Sequence, residues 1–366
     1  MFLTVVSLCV CPTAWHDTAG NQIEAHGGNI LKLGSVYHWY GATKKELTYK
    51  GKPCVFECSL GINLYTSSDL IGWDYVGVVF NHTAIDVPAA GVPGGNAPVL
   101  PFRIERPKVI YNAFTKMYVL VFHCEDAPYQ VGLRGVATSA SPTGPFKWSH
   151  AENPNSLFSM DMTEYVDPND PSGQAYHIRT ARHNPHTWKR GDNTQWTVGS
   201  KLSPDYLTVP EAPICFNASV SAEGPAVLFH DGAYYLFASH LSGLAPNPAR
   251  MLRCKGSVLS DCCAPPGGPS KWEDLGNPAV GPGPEGCHPE CGGINTTFNS
   301  QSTFVLPVAA ASEAELGEGA DAGVVALWMG DRWYPDETYP MEPKPLLQHN
   351  GAQAPFSDLT CMACVC

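Results

Sequence analysis

The stretch that decides the fold reads Ser221-Ala222-Glu223-Gly224-Pro225, then Ala226-Val227-Leu228-Phe229, the turn His230-Asp231-Gly232, and Ala233-Tyr234-Tyr235-Leu236-Phe237-Ala238-Ser239. Two short apolar runs meeting at an Asp-Gly pair predict a β-hairpin, and a carboxylate stands at its entrance. The arrangement recurs. Ile104-Glu105-Arg106-Pro107 leads Lys108-Val109-Ile110-Tyr111 and, after a turn, the run from Lys116 to Phe122. Met160-Asp161-Met162 leads Thr163-Glu164-Tyr165-Val166, then the turn Asp167 to Gly173, then Ala175-Tyr176-His177-Ile178. A nearly chargeless version, Ala25-His26-Gly27-Gly28, leads Asn29-Ile30-Leu31-Lys32 and then Val36-Tyr37-His38-Trp39-Tyr40. An amide version, Ser300-Gln301-Ser302, leads Thr303-Phe304-Val305-Leu306 and, after an Ala/Gly/Glu-rich insertion, Val324 to Met329. The chain therefore predicts about five hairpins, each entered through a polar residue.

Between the hairpins sits a second unit, a strand carrying small hydroxyl residues and closed by an aromatic. It runs from Gly61 to Trp73, returns from Gly135 to Trp148, and is looser from Val198 to Tyr206. A hairpin followed by this outer unit, about every 55 to 80 residues, is the pattern of a four-stranded β-propeller blade. A β-sandwich also has short strands and turns, but its strand spacing is shorter than this repeat. Segments 80–101, 183–195, 256–293 and 309–323 interrupt the pattern as surface excursions.

The bulk numbers agree with one all-β domain. In 366 residues, 44% are hydrophobic and only 15% charged, with 35 Gly and 33 Pro, a balance that suits short strands joined by turns. The formal charge of −12 argues against nucleic acid or an anionic membrane as partner. Fourteen cysteines point to an oxidising compartment, as do the acceptor sequons at Asn81, Asn217 and Asn295. Residues 1–14 read as a secretory leader, with a first strand of the domain as the alternative. Residues 15–342 read as the propeller domain and 343–366 as a cysteine-containing tail without a strand. Cys287, His288, Glu290 and Cys291, or His183 and His186, superficially offer metal ligands. Disulfides such as Cys54–Cys58, and pairs within 254–291, are the expectation instead, with no metal, no cofactor and a secreted monomer.

In a propeller the innermost strand of each blade lines the central channel, so the residues introducing the hairpins converge at one mouth. That would bring together His26, Glu105, Asp161, Glu223 and Gln301. Three carboxylates and an amide in one polar pocket equip a glycosidase, with a proton donor for the leaving oxygen and a group to handle water.

The same residues carry a family resemblance. Ala25-His26-Gly27-Gly28 with Trp39-Tyr40-Gly41, Glu105-Arg106-Pro107, Asp161-Met162-Thr163, Glu223-Gly224-Pro225, His240-Leu241-Ser242-Gly243, Ser300-Gln301-Ser302-Thr303 and Met329-Gly330-Asp331-Arg332-Trp333 together resemble glycoside hydrolase family 43, most of all its exo-β-1,3-galactanase branch. The resemblance covers roughly residues 17 to 335. It implies a five-bladed β-propeller that inverts the anomeric centre and takes galactan or arabinogalactan. It gives Glu223 the role of general acid and Asp161 that of raising and orienting it. Most of the family has an Asp in the first blade, where His26-Gly27-Gly28 stands here; the galactanase branch shares that absence and carries a Gln in its last blade. Gln301 matches it as the water-positioning or base residue. A neutral amide is a poor base, so Glu105, expected to hold substrate hydroxyls, is also the alternative base. The resemblance also implies sugar contacts from Tyr129, Ser242, Asn184 and His26. Rival readings are an arabinofuranosidase or xylosidase of the same family, or a propeller that binds carbohydrate without cleaving it.

Overall fold

The computed structural model describes residues 5–8, 16–43, 47–49, 52–54, 59, 61–88, 98, 101–126, 130–182, 195–210, 215–217, 222–242, 247–264, 268–278, 297, 300–308, 325–332 and 362–365. The expected contacts Tyr129 and Asn184, the pair Cys54–Cys58, residues 279–296 and the sequon at Asn295 lie outside the described residues or their side chains.

Four antiparallel sheets of four strands each follow one another along the chain. Blade I runs outward as His26–Leu33, Val36–Ala42, Gly61–Ser67 and Asp74–Asn81. Blade II is Arg103–Asn112, Met117–Glu125, Leu133–Ser139 and Lys147–Glu152. Blade III is Phe158–Val166, Ala175–Arg182, Gln195–Lys201 and the short Phe216–Asn217. Blade IV is Glu223–His230, Ala233–Ser239, Ala249–Lys255 and Glu273–Gly276. The fold is an all-β propeller. The hairpin expected to open a fifth blade is present as Ser300–Val308 paired with Val325–Arg332, but it forms a sheet of two strands only. Among the described residues the propeller thus has four complete blades where the sequence predicts five, because no further strand is hydrogen-bonded to this hairpin.

The innermost strands meet in sequence: His26–Leu33 on Arg103–Asn112, that on Phe158–Val166, that on Glu223–His230, that on Ser300–Val308, which returns to His26–Leu33. A separate antiparallel ladder joins Val5–Leu8 to Met362–Val365, and the latter lies against Val325–Arg332. The segment after residue 342, expected to lack a strand, therefore has one; its partner comes from the other end of the chain, which no local pattern reveals.

Apolar faces between blades form the core. Tyr40, Ile62 and Leu64 of blade I pack with Val109, Leu120 and Phe122 of blade II. Ile110, Val119 and Val136 of blade II pack with Met162 and Ala175 of blade III, and Tyr176 and Ile178 of blade III with Val227 and Leu236 of blade IV. Leu306 joins a cluster with Trp39, Tyr65 and Trp73 of blade I. Trp39 and Trp73 meet edge-on at 5.1 Å between ring centroids, and truncating a Trp so buried costs about 3–5 kcal/mol. Cys215–Cys263 stitches the segment after the third strand of blade IV to the last strand of blade III, and Cys254–Cys262 closes a short loop within blade IV; the second falls within the segment where pairing was expected, while the first reaches beyond it. Among the described residues no helix is long and apolar enough to cross a membrane.

Candidate active site

Each innermost strand carries the same defect in the same place. The ladder slips by a β-bulge between His26 and Asn29, Glu105 and Lys108, Ser159 and Met162, Glu223 and Ala226, and Ser302 and Phe304. A bulge inserts unpaired backbone and re-aims the side chains beside it, so the entrance residues leave the alternation of their strands. Three of the bulges use left-handed backbone: Gly27 at φ 61°, Arg106 at φ 51° and Gly224 at φ 63°. For Arg106 this is an unfavourable conformation for a residue with a Cβ. Two close approaches require glycine. A Cβ on Gly224 would stand 2.7 Å from the Ser302 carbonyl oxygen and 3.0 Å from Gln301 Cγ, and one on Gly27 would stand 3.1 Å from Arg106 Cα.

These bulges bring Glu105, Asp161, Glu223 and Gln301 into one cluster. Arg106 is the hub. Its Nη2 lies 2.9 Å from Asp161 Oδ2 and also donates to Gln301 Oε1, while Nη1 donates to the Ser302 carbonyl at 3.3 Å. A guanidinium can only donate, so this contact fixes which end of the Gln301 amide faces Arg106. The other end, Nε2, donates to Ser239 Oγ at 2.8 Å, and Ser239 Oγ donates to the Glu223 carbonyl at 3.2 Å. Below the cluster, buried Lys108 donates through Nζ to the carbonyls of Gly27 and Arg106 and to Thr303 Oγ1 at 3.4 Å. One ammonium thereby ties the innermost strands of blades I and II to the Ser300–Val308 strand.

The two Glu side chains have opposite surroundings. Burial, followed by repulsion from Asp161, pushes Glu223 up to about 8, against the opposing pull of Arg106, with Glu105 adding repulsion. Two carboxylates sharing a site resist ionising together, so Glu223 holds a proton at neutral pH. Its carboxyl also accepts the backbone N–H of Ser242. Glu105 instead faces an imidazole: His123 Nδ1 stands 3.1 Å from Glu105 Oε2, and His123 Nε2 stands 3.2 Å from Glu125 Oε2. Burial disfavours the charged ring, but bonds to Glu105 and Glu125 outweigh it and raise His123 to about 9.

Of the other expected contacts, Ser242 reaches the site through its backbone, and its hydroxyl accepts from Asn247 Nδ2 at 2.6 Å. His26 is buried, with Nε2 3.2 Å from Glu24 Oε2. Ligand atoms of Glu105, His123 and Asp161 lie within 4.8 Å of one another, a spacing compatible with a cation. Both nitrogens of His123 are committed to carboxylates, however, and Arg106 already brings positive charge to Asp161. Sequence reasoning passed over Arg106, Lys108, His123, Glu125 and Ser239 as functional residues. A signal for two of them existed: His123 and Glu125 are ionisable residues at alternate positions directly after the apolar run Val119-Leu120-Val121-Phe122.

The profile of glycosyl hydrolases family 43 matches residues 29–260. No curated protein matches the chain. Among solved structures, an exo-β-1,3-galactanase from Phanerochaete chrysosporium in complex with β-1,3-galactotriose superposes with a TM-score of 0.62 at 27% identity, over 88% of this chain and 60% of that one. An exo-β-1,3-galactanase from Clostridium thermocellum gives 0.62 at 29% identity, over 90% and 59%. A β-1,3-galactosidase solved with galactodeoxynojirimycin gives 0.63 at 25% identity, over 89% and 90%. The chain thus spans about three fifths of the length of the two galactanases.

Proposed function

The chain belongs to family 43 of the glycosyl hydrolases, and we propose that it is a secreted, inverting exo-β-1,3-galactosidase that removes galactose from the non-reducing end of galactan or of the backbone of arabinogalactan. The observation that carries this reading is the unequal pair of carboxylates at the centre of the ring, one kept protonated beside Asp161, the other ion-paired with His123. Glu223 protonates the leaving glycosidic oxygen while a water attacks the anomeric carbon from the opposite face in a single displacement. Gln301 holds that water, and Glu105 takes its proton. Asp161 keeps Glu223 protonated and Arg106 oriented. Tyr129, Asn184, Ser242 and His26 contact the sugar in this reading.

Galactan as substrate is supported by the galactanases and galactosidase to which the chain is similar, and by the lack of a carboxylate in the first-blade motif His26-Gly27-Gly28. The hairpin Ser300–Val308 with Val325–Arg332 is, in this reading, the inner half of a fifth blade; its contact with both neighbours in the ring supports that. Secretion is supported by fourteen cysteines and the two disulfides of blade IV.

The test is galactose release from β-1,3-galactan by wild type and Glu223→Gln. Wild type should release α-configured galactose, and the variant should lose that activity. A protein that releases nothing from galactan, arabinan or xylan yet binds one of them is a carbohydrate-binding propeller and no enzyme.

A further inference from the structure

Behind Glu105 lies a buried chain of charges. His123 and Glu125, two residues apart and so on one side of their strand, are 1% and 0% exposed. Glu125 is anchored by backbone: its Oε1 accepts the N–H groups of Asp126 at 3.1 Å, Val131 at 2.7 Å and Gly132 at 3.1 Å. Its Oε2 faces His123 Nε2, and the opposite ring nitrogen faces Glu105. Ionised carboxylates only accept hydrogen bonds, so satisfying both requires an imidazole that donates from both nitrogens. The other charged groups facing this chain are Asp161, Glu223 and Arg106 across the cluster, Arg103, which is the ladder partner of Glu125, Asp126 beside it, and Arg182 of blade III, which feels Glu125. Among them His123 is the cation that touches both Glu105 and Glu125.

We propose that His123 is a positioning residue: as an imidazolium seated on Glu125 it holds the Glu105 carboxylate on the attacking water, so turnover depends on the protonation of a ring that never touches substrate. This rests on the reading of Glu105 as the group that takes the proton from water. A neutral ring donates from one nitrogen only, and its lone pair would then repel either Glu105 or Glu125. Glu105 is 20% exposed and Glu125 is 0% exposed, so Glu105 is the one that turns away. With the imidazole raised to about 9 and Glu223 to about 8, loss of the acid masks loss of the imidazolium in the native enzyme.

The experiment measures kcat and KM against pH on β-1,3-galactooligosaccharides for wild type, Glu125→Gln and His123→Asn. Glu125→Gln keeps an oxygen for the three backbone N–H groups and removes the anion under His123. Its kcat should fall on the alkaline side at least one pH unit earlier than wild type, with KM within about twofold. His123→Asn should lower kcat about a hundredfold, the scale of a misplaced reacting group, again with little change in KM. Titration of the His123 ring by NMR in the wild-type protein reads the charge without any variant. A ring still protonated at pH 7.5 is expected; a midpoint near the ordinary value of about 6.5 overturns the proposal even where the variants fail to fold. If wild type releases no galactose, the proposed function fails. If wild type is active and both variants keep its kcat and pH profile, the positioning role alone fails.

Discussion

Glu105-Arg106-Pro107 of blade II and Glu223-Gly224-Pro225 of blade IV are the same phrase twice. Each lies at or near the start of an innermost strand, slips the ladder at the same point and passes through left-handed backbone at its middle residue. Their chemistry diverges because of what stands opposite. The ladder partner of Glu105 is His123, and that of Glu223 is Ser239. Glu105 therefore faces a cation, whereas Glu223 faces a hydroxyl and has two carboxylates, Asp161 and Glu105, set against the single cation Arg106. Equal backbone with unequal neighbours yields one carboxylate suited to accept a proton and one suited to donate it.

The widest test of this asymmetry uses the leaving group. Glu105→Gln and Glu223→Gln should each lower kcat/KM on galactan by about 10²–10⁴-fold. On an aryl galactoside whose leaving group needs no proton, Glu223→Gln should recover most of its activity and Glu105→Gln none. Equal recovery would mean that the two roles are not separate.

Arg106→Gly preserves the left-handed backbone and removes the hub that Asp161 and Gln301 share. We expect a loss of about 10²–10³-fold in kcat/KM, the scale of removing one preorganised electrostatic donor. The alkaline limit should move upward, since Arg106 is what pulls Glu223 down. Asp161→Asn works in the opposite sense. Without that repulsion Glu223 ionises more easily, so the limit should fall below the native value near 8, and a pH profile that does not move would remove Asp161 from the account.

Stability carries the same signature. A carboxyl raised in the folded state from 4.5 to about 8 contributes stability that is fully present below 4.5 and lost as pH rises through 8. Glu223→Gln should therefore be more stable than wild type at pH 8, and the gain should vanish near pH 4.5. Calorimetry at both pH values checks it.

The smallest contrast is between two glycines with similar backbone. Gly232, at φ 70°, has nothing within 4 Å of an added Cβ, whereas Gly224 has the Ser302 carbonyl at 2.7 Å. Gly232→Ala should cost about 1–2 kcal/mol, the left-handed penalty alone, and leave kcat unchanged. Gly224→Ala should cost more and displace Gln301, which chemical denaturation and a kcat measurement together reveal.

The hairpins were legible because strands announce themselves locally through β-branched and aromatic runs closed by turns such as Asp231-Gly232. Their polar entrances were legible because that feature repeats along the chain. The outer units ending at Trp73 and Trp148 likewise mark the third strands of blades I and II and end at the start of the fourth. The incomplete fifth sheet and the ladder between Val5–Leu8 and Met362–Val365 were not, since pairing depends on partners distant in sequence. Arg106 was hidden in plain view: it reads as the middle of a motif, and only the bulge turns its guanidinium toward Asp161 and Gln301.

Read alone, the chain determines which residues enter the ring and that they are three carboxylates, an amide and an imidazole. It does so because residue type and strand order are local properties. Which carboxylate keeps its proton was decided by the tertiary structure. A pKa depends on burial and on charges a few ångströms away, and only the closed ring sets Asp161 against Glu223 and His123 against Glu105.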